Sequence, residues 1–415
     1  MEQRSEGITE LVLAYAQANP PQNVRDIMRL SVLDWAACGV AGARHGAFGP
    51  WARGCEAVGP ASRFDGRAGS VAEAAMVNGT LSHALDFDDT HFAHIGHPSV
   101  VVVSAALAMA EAKSATLNDM VDAALVGAEA SVAVGLWLGR AHYQVGFHQT
   151  ATSGAFGATV AAGRLMRLSE AQMRHALGLC ATMASGLKSQ FGTMGKPLNA
   201  GLAARAGVEA AQWAALGMTA AHDGLAGLLG FGATHHGAAE PVPMQWRMDA
   251  VSHKFHACCH GVHASLEAVR DVDLLNATRI EISTHPRWIT VCNQAAPDTG
   301  LGAKFSYAHV MAMAAYGRDT GDIAQFSDDC ARDPHLVAFR DRVHVSADDG
   351  LSEMQARVQV DGIEYSHDLD APQPYSAREA RVRGKSKGLI GAQADTLWRA
   401  IEDDDLDSFS RGLSR

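Results

Sequence analysis

From Gly7 to about residue 255, apolar side chains recur every three to four positions. This spacing predicts helices over Gly7–Ala18, Pro21–Cys38, Val71–Leu85, Ser99–Ala112, Leu117–Leu138, Gln149–Leu165, Glu170–Leu187 and Leu198–Leu216. Strand signals are nearly absent from this stretch. The texture changes after Lys254–His263. There Thr278–Ser283, Val343–Ser346, and Ala356–Val360 followed by Asp361-Gly362 and Ile363–His367 alternate as half-buried strands do, with helical spacing between them at Lys304–Ala315 and Pro334–Arg340. That unit ends near Ala371–Pro374. The tail from Arg381, including Leu389–Ile401, reads as helix again and is expected to pack back on the first domain, with Arg381–Lys387 as a mobile basic start. The expected fold is therefore mainly α. Residues 1–259 form a large all-helical domain completed by helices at 380–415, and residues 260–379 form a smaller α/β (α+β) lid.

Composition sharpens this picture. Of 415 residues, 47% are hydrophobic and 19% charged, enough to bury a sizeable core, and 41 glycines among many alanines let helices approach closely. The net charge of −11 gives no footprint for nucleic acid, so an anionic ligand must be met by local positive charge. The seven cysteines have no CxxC spacing and read as reduced thiols. The start Met1–Glu6 is acidic where an export signal is basic. The apolar runs Val100–Ala110 and Ala123–Leu138 fall short of the ~20 residues that a membrane span needs. A cytoplasmic protein without membrane contact is expected.

Candidate chemistry gathers around histidine, of which there are twenty. His83, His91, His94 and His97 stand beside Asp86, Asp88, Asp89 and Thr90 in SHALDFDDTHFAHIGHPS. A polar loop after a helix would explain them structurally. A metal centre would use the same side chains but lacks HExxH or a cysteine partner. A DxDxT phosphatase nucleophile would need a preceding strand, where helix is predicted. A metal-free acid/base pocket, with carboxylates holding imidazoles in a chosen tautomer, remains. His148 precedes a Thr/Ser/Gly-rich helix start, a seat for an anion. Lys196 lies between glycines and ahead of Pro197, pinned in a turn that opens a helix. The segment KFHACCHGVH combines Lys254, Cys258, Cys259, His260 and His263; adjacent cysteines suit a tetrahedral metal poorly. GLLGFGATHHG (Gly227–Gly237) contains GxG but lacks the strand of a dinucleotide site, and no Walker, GxSxG or kinase signature occurs.

Four segments in this order, DFDDTHFAHIGHPS, GFHQTATSGAFG, GTMGKPLNAG and KFHACCHGVH, followed by AKFSYAHVMAMA, resemble the MmgE/PrpD family over roughly the whole chain. That family includes 2-methylcitrate dehydratase, cis-aconitate decarboxylase and iminodisuccinate epimerase. The resemblance implies a large helical domain with an α/β lid, a homodimer, and a site between the domains that uses neither cofactor nor metal and takes a small di- or tricarboxylate. Its catalytic residues would be Asp86, Thr90, His97, His148 and Lys196. Tyr143, Lys254, Cys259, His260, His263 and His309 would bind substrate. Asn199 departs from the histidine that often follows KPL, Cys259 stands where some members have histidine, and His309 falls where decarboxylase-like members carry tyrosine. The expected chemistry is proton abstraction beside a carboxylate. His97 or His148 serves as base, Asp86 orients an imidazole, Thr90 holds a carboxylate oxygen, and Lys196 stabilises charge. Dehydration or hydration is the first reading. An epimerase using Tyr143 and Lys196 on opposite faces of one carbon, and an inactive binding protein of the same fold, are the alternatives.

Overall fold

The structure, a computed structural model, describes residues 7–235 and 243–414; Met1–Glu6 and the His236-Gly237 end of the GxG stretch lie outside them. The chain divides into two compact units, one running to His253 and resuming at Val382, the other comprising Lys254–Arg381. It is mainly helical, with a small α/β part.

The first unit is built from α1 (Ile8–Gln17), α2 (Gln22–Arg44), α3 (Val71–Ser82), α4 (Pro98–Lys113), α5 (Leu117–Val145), α6 (Gln149–Leu165), α7 (Glu170–Ala181) and α8 (Gly195–Ala215). Starts are set by side chains. Ser70 accepts from the Glu73 N–H, and Thr116 with Asp119 and Ser169 with Gln172 form capping boxes. Helix α4 has no polar face, and Val100–Ala110 are buried on every side, so it forms the centre around which α5, α6 and α3 pack. Helix α2 runs on to Arg44, past the predicted end at Cys38. Helix α5 is long and apolar enough to cross a membrane, whereas the apolar run read from sequence, Ala123–Leu138, was too short; its apolar stretch is buried inside the unit, and Gly139 (φ 70°) interrupts the helix. Strand is present where none was predicted, as the two-residue pair Ala61–Ser62 and Ala68–Gly69.

Two close approaches set the geometry of the site. A Cβ at Gly201 of α8 would lie 2.2 Å from Thr80 Oγ1 of α3, so glycine there lets the start of α8 come up beside the end of α3. Gly127 of α5 and Gly157 of α6 meet similarly, each facing the other's carbonyl oxygen.

In the second unit the strands are β1 (Ile280–Thr284), β2 (Val343–Ala347), β3 (Gln355–Val360) and β4 (Ile363–Asp368), in the order β2-β1-β3-β4. The β1–β2 pair is parallel, and the other two pairs are antiparallel. Asp361 and Gly362 both take positive φ in the two-residue β3–β4 turn, as their sequence predicts. Ile280, Ile282, Ala356, Val358 and Val360 line the buried face. Arg381–Lys387 is not a mobile start but part of a regular helix, Tyr375–Ile390, on which Val382 and Ser386 are fully buried.

Candidate active site

Three helix N-termini and one helix C-terminus of the first unit bring the candidate residues together. His83 caps the end of α3, His97 is the N-cap of α4, His148 is the N-cap of α6, and Lys196 lies in the first turn of α8 with Asn199 just after it. Neither His97 nor His148 spends its side chain on capping. Between α3 and α4 the chain turns through Asp86 in the left-handed region (φ 51°), which short polar side chains tolerate. Phe87, 1% exposed, anchors the loop.

At the centre is Asp88. His83 Nδ1 lies 2.9 and 3.1 Å from its two oxygens, and His97 Nδ1 lies 2.7 Å from Oδ2, off the ideal hydrogen-bond direction. Burial opposes charge on Asp88, but the two imidazoles overcome it and hold the carboxyl well below its ordinary range. An ionised Asp88 only accepts, so both rings keep a proton on Nδ1. Burial pushes His97 down to about 4, against the pull of Asp88, so its ring is neutral at pH 7.

His148 is held the other way. The Asn199 side-chain amide donates to the Leu187 carbonyl at 3.1 Å, which fixes its orientation, and the same nitrogen faces His148 Nδ1 at 3.3 Å. Nδ1 of His148 is therefore the acceptor and Nε2 carries the proton. Burial pushes this imidazole well below its ordinary value, with His83 and Lys196 adding to the effect. The rings of His83 and His97 are 4.6 Å apart and those of His83 and His148 6.0 Å apart. Lys196 Nζ donates to Asp86 Oδ1 at 2.7 Å, and that oxygen is 3.7 Å from His97 Nε2. Lys196 is thus drawn inside, 16% exposed, instead of standing in solvent.

Asp86, His97, His148 and Lys196 accordingly converge, joined by His83, Asp88 and Asn199. Asp86 pairs with the lysine, while Asp88 is the carboxylate that orients imidazoles, a correction to the expected role of Asp86. Thr90 is tied through its backbone to Ser252, and its buried hydroxyl has no hydrogen-bond partner among the described residues. The ring of Tyr143 is covered by the Lys188 ammonium at 3.7 Å. His91 gives its Nε2 to the Arg247 carbonyl, and His94 packs against Gly135 near Ser153, so both serve structure.

A metal reading of the first motif has a geometric basis. Donor atoms of His83, Asp86, Asp88 and His97 lie within 4.8 Å of one another. The donor set fits an ion poorly, however. Both Nδ1 atoms turn toward the oxygens of Asp88 at hydrogen-bond distances, and the Lys196 ammonium already supplies a positive charge at Asp86. Among the described residues Cys258, Cys259, His260 and His263 form no such group.

Those residues form their own cluster in the second unit. Lys254, His260 and His263 are buried, with the His260 and His263 rings stacked at 4.5 Å and His263 Nε2 3.3 Å from the Cys258 carbonyl oxygen. Burial, then His260, His256 and Lys254, push the His263 imidazole well down. His309 is fully buried and accepts from the Arg340 guanidinium at 2.9 Å through Nδ1, a packing role. Burial and that cation push it down to about 4.

The MmgE/PrpD N-terminal domain matches residues 6–244 and the MmgE/PrpD C-terminal domain matches residues 256–371. The chain belongs to the MmgE/PrpD family. Its relatives include cis-aconitate decarboxylase of Aspergillus terreus, 27% identical over 350 residues that cover 71% of this chain and 68% of the relative. Human cis-aconitate decarboxylase is 34% identical over 165 residues, 39% of this chain and 34% of the relative, and the mouse protein is 30% identical over 260 residues, 57% and 53%. In this MmgE/PrpD chain all seven converging side chains fall inside the matched N-terminal domain.

Proposed function

We propose that the protein is a carboxylate lyase that dehydrates, or in reverse hydrates, a small di- or tricarboxylate by moving a proton at the carbon next to a carboxylate, without a metal or cofactor. The observation that carries this reading is the opposed setting of two buried imidazoles. His97 offers an unprotonated Nε2 while His148 offers an Nε2–H.

Family membership and relatives named for cis-aconitate support a carboxylate as substrate. The site is suited to receive one. Helix N-termini carry partial positive charge, and Lys196 adds a full one. In the proposed step His97 Nε2 takes the proton from carbon. The double bond forms as the neighbouring C–O bond breaks, and the imidazolium, steadied by Asp88, returns that proton to the departing hydroxide as water. His148 remains neutral and donates a hydrogen bond to the charge developing on the substrate carboxylate, alongside the Lys196 ammonium. Lys196→Ala should lower kcat by roughly 10²–10³-fold, the usual loss for one preorganised donor, with the melting temperature nearly unchanged. A near-normal rate in this variant would reject the assignment.

Decarboxylation, the activity in the relatives' names, is the second reading. It differs in its starting charge, since a carbanion left by carbon dioxide must be met by an acid. With His97 neutral down to about pH 4, elimination should hold its rate through neutral pH and fall as acidification protonates the base. A decarboxylation that drew its proton from His97 would instead quicken as pH falls. Proton NMR in deuterated water, with chelator present, separates the readings on cis-aconitate and hydroxylated tricarboxylates. Alkene gained or lost with water supports the lyase proposed here, and loss of carbon dioxide supports the second reading. Label exchange with inversion and no alkene identifies an epimerase. Thermal stabilisation without turnover identifies a binding protein.

A further inference from the structure

The second unit holds two thiols in contact, an arrangement the proposed chemistry does not use. Cys259 is the residue before the short turn His260–Val262, and Cys292 ends the helix Pro286–Cys292, 33 residues further on. Their sulfurs are 2.9 Å apart, with the Cys292 S–H donating to Cys259. Cys292 is fully buried against Gly261, where a Cβ would come within 3.0 Å of its sulfur. Cys259 is only half-buried. Cys259 is therefore the more exposed residue of the pair.

We propose that Cys259 and Cys292 form a reversible modification site for disulfide-type oxidants such as glutathione disulfide, ending in an intramolecular Cys259–Cys292 bond. The chemistry takes two exchanges. The Cys259 thiolate attacks a sulfur of the oxidant, forming a mixed disulfide and releasing one glutathione thiolate. The Cys292 sulfur, having lost its proton to solvent, then attacks Cys259 Sγ and releases the second glutathione thiolate. The oxidant gains two electrons and the two cysteines lose them. The order of attack follows from exposure, and it agrees with charge. The Cys259 contact and burial together push the Cys292 thiol up, which leaves Cys292 the poorer first nucleophile. Neighbouring Cys258 is buried, and burial pushes its thiol up as well. The bond would tie the segment bearing His260 and His263 to the end of the helix Pro286–Cys292.

The test uses the full native chain. After exposure to glutathione disulfide, remaining thiols are alkylated and the digest is read by mass spectrometry. The expected result is loss of two of the seven thiols, a Cys259–Cys292 cross-linked peptide, and full recovery with dithiothreitol. In Cys292→Ser the intermediate should be trapped as a glutathione adduct on Cys259. The wild-type digest decides the question even where that variant folds poorly. A stable adduct on wild-type Cys259 with Cys292 still reduced, a Cys258–Cys259 bond, or no loss of thiol would each overturn the proposal.

Discussion

Asp88→Asn is expected to lower kcat by roughly 10⁴-fold, the scale seen when a buried carboxylate that sets an imidazole tautomer becomes an amide, with KM changed far less. The reason is one of counting. The carboxylate has two accepting oxygens, and two Nδ1 atoms lie against it at 2.7 to 2.9 Å. An amide offers one oxygen and one NH₂. Whichever imidazole meets the NH₂ must accept through Nδ1 and place its proton on Nε2, which blocks the base if that ring is His97. The substitution is isosteric and removes a charge from a fully buried site, so the fold should persist. Steady-state kinetics beside a thermal melt would check this. A variant that keeps a tenth of the wild-type kcat would show that tautomer control by Asp88 is not part of the reaction.

Much of the helical body is legible in the sequence because its signals are local. Pro334–Arg340 is found at the predicted residues, and β1 to β4 differ from their predicted spans by one or two positions. The misses have physical causes. Helix α2 outruns its prediction because Ala41, Ala43 and Arg44 are good helix formers on either side of the buried Gly42, and periodicity alone sets no stop there. The helix predicted over Lys304–Ala315 begins only at Tyr307, where Ser306 caps it by accepting from the His309 N–H. In Arg381–Lys387 the density of positive charge reads as solvated surface, and the partner that draws Lys385 inward is Asp34, some 350 positions earlier.

The site was legible in its residue types and not in its pairings. Asp86 and Asp88 are two residues apart and identical in chemistry. Only the left-handed turn at Asp86, which sends one carboxylate toward Lys196 while the other stays beneath the imidazoles, separates their roles. His83 was visible as part of the histidine cluster but carried no motif spacing to Asp88. Asn199 stood out as a departure from the family's usual histidine, yet its effect depends on the Leu187 carbonyl that fixes the amide. Proton placement of this kind is a property of assembled hydrogen bonds, which a linear pattern does not encode.

The largest expected loss of stability comes from Lys385→Met. Lys385 Nζ lies 2.6 Å from Asp34 Oδ1, and both side chains are all but inaccessible, at 4% and 1%. Removing one member of a buried pair strands the other charge, at a cost of about 3–5 kcal/mol. Asp34 also acts on its neighbours, since Asp89 is pushed up to about 7 by burial, with Asp34 contributing. The effect should depend on pH with a definite sign. In the variant Asp34 titrates higher when folded than when unfolded, so the folded state binds the extra proton and the deficit relative to wild type shrinks as pH falls. Replacing both partners, Asp34→Leu with Lys385→Met, removes the stranded charge and should recover most of the loss. Lys385 also donates to the carbonyl of Phe87, the residue between Asp86 and Asp88, and its ammonium sits 4.1 Å from the Phe87 ring centroid. The double variant should therefore regain stability without regaining full kcat, because the loop that aims the two carboxylates has lost its tether. Urea denaturation of the wild type and the two variants at pH 5 and pH 8, with kcat measured on each, tests both halves. Equal stability of wild type and Lys385→Met at pH 8 would mean that the ion pair contributes nothing to the fold.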